Sequence, residues 1–116
     1  MRYEHLVDFM YDAGRDVGEF LHDEEKDLYA PKSLPQIVSD YIDERSVLNV
    51  FFLNWDIKAY IKRHMTPAGL AYAYPFDYDL AFPERYFDGD LHVFLTRILA
   101  LSKVEVKARV RGWLPF

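Results

Sequence analysis

Five carboxylates, Asp8, Asp12, Asp16, Glu19 and Asp23, recur at spacings of three and four residues near the start of the chain. At about 100° per residue they fall within a helical sector roughly 80° wide. A helix here therefore carries a continuous negative ridge, and the chemistry of such a ridge is electrostatic. It would dock against a cationic groove and compete there with a polyanion. Magnitudes limit the idea: about 22 Å of duplex DNA presents roughly thirteen charges, against five on the ridge. Asp40, Asp43, Glu44 or the cluster at 23–27 would have to join it. The competing expectation is a solvated face, offset by Arg15 or by the basic residues Lys103, Lys107, Arg109 and Arg111.

A second candidate lies in residues 72–87, where aromatics alternate with carboxylates. Tyr72, Tyr74, Tyr78 and Tyr86 can act as rigid anchors, with Asp77, Asp79 and Glu84 selecting a cationic partner. The alternative is ordinary core and edge packing. The histidines, His5, His22, His64 and His92, form no H-x-x-x-H or H-x-H pair, so local metal-ligand spacing is absent. Asp88, Asp90 and His92 would share a face if extended, giving a small His/Asp site. If Asp90 caps a helix instead, that geometry disappears. No serine stands in a G-x-S-x-G setting, and no glycine-rich phosphate loop is present. No cofactor or metal is expected.

Composition narrows the classes further. The 116 residues suit one domain, and 51% hydrophobic content excludes a disordered chain. The absence of cysteine removes disulfides, thiolate metal sites and a cysteine nucleophile. No secretion signal or membrane-length apolar run is visible, so a soluble cytoplasmic protein is expected. The net charge of −5 is unevenly spread. Residues 1–46 hold five Lys/Arg against twelve Asp/Glu, a balance of −7; the remainder holds nine against seven, a balance of +2. That argues against direct nucleic-acid binding, whose affinity rests on phosphate contacts.

Several elements must position these groups. Opposite the acidic ridge, Leu6, Met10, Ala13, Val17, Phe20 and Leu21 define the buried side of a helix over about Tyr3 to Leu21. Gly14 and Gly18 lie on one flank of it. A second helix starts at Ser33, with Pro35 in its first turn, Gln36 completing a capping box, and Leu34, Ile37, Val38, Tyr41 and Ile42 inward. The run Val47 to Leu53 reads as a buried strand, followed by a helix from about Asp56 that ends before Thr66-Pro67-Ala68-Gly69; periodicity leaves one helix over 46–65 as the alternative. Pro75 and Pro83 break residues 70–87 into short extended pieces. Asp90 caps a helix with Leu91, Phe94, Leu95, Ile98 and Leu99 inward. Val104, Val106, Ala108 and Val110 then alternate with charged residues as a final strand.

The expected fold is a single α+β domain over 1–116: two N-terminal helices packed on a small, mainly antiparallel sheet, with a further helix before a C-terminal strand. In size, acidity and aromatic richness the chain resembles bacteriocin-immunity, anti-restriction and anti-CRISPR inhibitors, a resemblance of type carried by no shared motif. The expected function is a non-catalytic inhibitor or immunity-type protein. It would cover a basic surface of a nucleic-acid-processing enzyme or toxin, as a monomer or small homo-oligomer, without touching nucleic acid or membrane. The alternatives are an enzyme built on His92 with Asp88 or Asp90, and a self-associating assembly protein.

Overall fold

The computed structural model describes residues 2–16, 32–71, 73 and 90–113, without the side chains of residues 14–16 and 113. Among them lie four helices: α1 (Glu4–Asp16), α2 (Leu34–Glu44), α3 (Val47–His64) and α4 (Leu91–Trp113). Among the described residues between α3 and α4 stands an antiparallel hairpin, β1 (Met65–Thr66) and β2 (Gly69–Leu70), with Met65 opposite Leu70. The described chain is about 80% helical, so the expected α+β fold is corrected to a mostly helical one. A hairpin of two-residue strands is too small a sheet for the helices to pack on.

Two misread segments account for the correction. Val47 to Leu53 is not a strand; α3 runs unbroken from Val47 to His64. Ser46 starts it, its extended backbone leading in and its hydroxyl accepting the Asn49 amide at 3.3 Å. Val50, Leu53, Ile57 and Tyr60 face inward at helical spacing, while Leu48, Phe51, Phe52 and Trp55 cover the outward side. With both sides apolar, the run imitates a doubly buried strand. The final strand is likewise a helix. Leu91, Phe94, Leu95, Ile98 and Ser102 are buried, and Glu105, Val106 and Arg109 extend that inner line, whereas Val104 is 64% exposed. The valine alternation is a coincidence laid over good helix formers such as Lys, Ala, Arg and Glu.

Other expectations hold. Ser33 accepts the Gln36 amide, and Leu34, Ile37, Val38, Tyr41 and Ile42 are all buried. Gln36 donates to Asp40 instead of closing the box on Ser33, and Lys32 joins it there. Those two donors hold Asp40 below the ordinary carboxylate range. Asp90 caps α4, accepting the Val93 amide at 3.0 Å. Leu6, Phe9, Met10 and Ala13 form the buried side of α1; its continuation to Leu21, and Gly18, lie outside the described residues. Helix α3 ends at His64, as expected, and Gly69 takes the left-handed φ of 121° that the hairpin turn needs.

Helices α2 and α3 each pack against both α1 and α4. The core between them is one cluster that includes Leu6, Phe9, Tyr41, Leu53, Ile57, Tyr60, Phe94 and Ile98. Each such side chain contributes about 1.5–3 kcal/mol by leaving water. Two polar groups organise this core. Asp56, buried in the middle of α3, accepts the amides of His5 and Leu6 at the start of α1. Tyr60 sends its hydroxyl to the Ala71 carbonyl at 2.6 Å and receives the Ala73 amide at 3.0 Å. It thereby fixes where the chain leaves the hairpin.

Candidate functional site

The acidic ridge is placed only in part. Asp8 is exposed on α1, as are Glu4 and Tyr11. Asp12 is half-buried and paired with Arg45 at 2.6 Å. Arg45 also lies 4.2 Å above the Tyr41 ring. Burial works against its charge, but the Asp12 carboxylate raises the guanidinium's affinity for its proton above the ordinary value. Asp16 ends α1, its side chain undescribed; Glu19 and Asp23 lie outside the described residues. Among the described residues the ridge is thus partly neutralised from within, by Arg45 and not by the C-terminal basic residues. Arg109 turns instead to Asp43, Glu105 and the Ser39 carbonyl, tying α4 to α2.

Tyr72, Tyr74, Asp77, Tyr78, Asp79, Glu84 and Tyr86 all lie outside the described residues, as does Asp88. His92 and Asp90 do share the wall of a cavity of about 330 Å³ with Met65, Gly69, Leu70 and Leu91. No further histidine or carboxylate joins them among the described lining residues. The Asp90 carboxylate is engaged as the cap of α4. Among the described residues no group of three His, Cys, Asp or Glu is placed to hold a metal ion.

The feature that sequence reasoning missed is the outward face of α3. Leu48, Phe51, Phe52 and Trp55 follow an i, i+3, i+4, i+7 spacing and span about 100° of the helix. Their exposures run from 46% for Phe52 to 71% for Trp55. Part of the signal was present in the sequence: Ser46, three residues before Asn49, marks a helix start, and as a helix the run carries Leu48, Phe51, Phe52 and Trp55 on one side.

The two edges of this face differ in charge. On the α1 edge, the His5 ring stacks on Phe52 with centroids 5.0 Å apart. Asp12 meets Arg45 just before α3 begins, and Asp8, one helical turn from both His5 and Asp12, stands on the same flank of α1, its charge acting on Arg45. On the α4 edge, Phe51, Asn54 and Lys58 form a groove of about 360 Å³ with Leu99, Lys103, Val106 and Lys107. No carboxylate among the described residues pairs with Lys58, Lys103 or Lys107. An apolar stripe thus runs between a carboxylate-bearing edge and a lysine-bearing one.

Comparison of the chain with protein-family models, with curated proteins and with solved structures finds no match in any of the three. Among the described residues, no helix is long and apolar enough to cross a membrane.

Proposed function

We propose that this is a non-catalytic binding protein that works through protein contact at the outward face of α3. The observation that carries the reading is the exposed run Leu48, Phe51, Phe52 and Trp55. Four large apolar side chains in one stripe cost solubility and add nothing to the core. Aromatic clusters of this kind supply the desolvated anchors of interfaces. The activity proposed is of the inhibitor or immunity type, in which the face covers a basic surface of a nucleic-acid-processing enzyme or toxin. Glu4 and Asp8 would then steer the encounter from the α1 edge. This places the anchors on α3, where the sequence had suggested the tyrosines of 72–86.

The test is capture of partners from a host lysate by the wild-type chain and by a Phe51→Ala/Trp55→Ala variant. A protein retained by the first and lost by the second supports the reading. Equal retention by both removes the face from the mechanism. Asp8→Lys should weaken the same capture and reduce its dependence on salt.

A further inference from the structure

The α3 face is complementary to itself, and we propose that two copies of the chain pair through it in parallel, α3 against α3. The proposal rests on reading this face as a contact surface, and it names a second occupant for it. Consider a two-fold axis lying in the interface and parallel to α3. Rotation about it lays stripe on stripe and exchanges the edges. The α1 edge of each copy then faces the α4 edge of the other. Asp8, with Glu4 farther out, would oppose the groove that holds Lys58, Lys103 and Lys107. An axis across the helices would instead set lysines against lysines, so charge selects the parallel arrangement.

The area comes close to what a stable pair needs. An aromatic side chain buries about 150–250 Å² when fully covered. At the exposures found here, the four stripe residues present roughly 450 Å² of apolar surface per copy. Two such stripes with the edges that flank them approach the ~1,200–2,000 Å² of a stable interface. Lys62 marks the limit of the pairing, because it is exposed on the same side of α3 two turns beyond Trp55. There the two copies would meet like charge to like charge, and the helices should diverge.

Pairing of copies and binding of a foreign partner use the same residues and are mutually exclusive, so each should displace the other. Sedimentation equilibrium from micromolar to near-millimolar protein tests the proposal. The wild-type mass should move from one chain towards two. Phe51→Ala/Trp55→Ala should stay at one chain with unchanged far-ultraviolet circular dichroism. Lys103→Glu/Lys107→Glu should weaken association about tenfold, and adding Asp8→Lys should restore it. A wild-type chain that stays monomeric throughout overturns the proposal, as does a Phe51→Ala/Trp55→Ala variant that associates unchanged. Failure of Asp8→Lys to restore the lysine variant overturns the parallel arrangement. A monomer that still loses its foreign partner through Phe51→Ala/Trp55→Ala would leave the proposed function standing while ending this one.

Discussion

The carboxylate of Asp56 caps a helix to which it does not belong, accepting the His5 amide at 2.9 Å and the Leu6 amide at 3.2 Å. The first amides of any helix lack intrahelical partners. Tyr3, the residue before α1, cannot supply the acceptor, because its hydroxyl lies against His64 and its ring against Tyr60. It also holds a left-handed φ of 52°, which is strained for a residue with a Cβ. A negative charge on α3 therefore satisfies two donors and the positive end of the α1 dipole together. Asp56→Ala should cost about 2–3 kcal/mol, since a buried and a part-buried amide lose their acceptor. Asp56→Asn, which keeps an acceptor without the charge, should cost about half as much. Thermal melts of the two variants check the order; equal melting of wild type and Asp56→Ala would show that the cap is not needed.

Tyr60→Phe isolates the second buried polar anchor. The ring is fully buried and should repack unchanged, while the Ala71 carbonyl and Ala73 amide lose their partner. A loss of about 1–2 kcal/mol is expected. The Ala73 amide should exchange with solvent faster, with amides in the middle of α3 little affected. Hydrogen exchange read residue by residue separates this local release from general destabilisation.

Tyr41 predicts an alkaline limit to stability. Its phenol is buried, with its hydroxyl unpartnered among the described residues. Burial pushes its pKa from 10.0 up to about 12; Arg45 works the other way, and Asp8, Asp12 and Asp56 reinforce the rise. A pKa raised on folding means that the unfolded chain releases the proton first as pH climbs. The contribution is fully present below pH 10 and is lost between pH 10 and about 12. Tyr41→Phe should be close to neutral in stability at pH 7, because it also removes an unpaired buried hydroxyl. Its stability should fall less than that of the wild type above pH 10. Denaturant melts at pH 7, 10 and 11 give the comparison.

How much of this was legible in the sequence depends on whether an element had one apolar side or two. Helix α2 was read correctly down to its five buried residues, because its polar side is unambiguous and Ser33 marks its start. The buried side of α1 as far as Ala13, and the Asp90 cap, were equally plain. Helix α3 was misread because Phe51, Phe52 and Trp55 fill the side that solvent sees, which erases the 3.6-residue period. The same residues form the candidate site, so the misread helix and the overlooked face share one cause. Pairings such as Asp12 with Arg45 and Asp56 with His5 join residues far apart in the chain, and no local spacing announces them.

Val104 offers a direct measure of what the helical setting of the C-terminal segment does to a β-branched residue. It is 64% exposed in the interior of α4 and contributes little packing. In an exposed helical position, Val→Ala removes a β-branched side chain that is restricted against the preceding turn. Val104→Ala should therefore stabilise the protein by about 0.5 kcal/mol. In a strand the same change would destabilise it, because valine is favoured and alanine disfavoured there. Val104→Pro should cost about 3 kcal/mol or more by removing an amide and clashing with the carbonyl one turn back. Chemical denaturation of the two variants reads both signs. A destabilised Val104→Ala would show that the valine side chain packs more than its exposure implies.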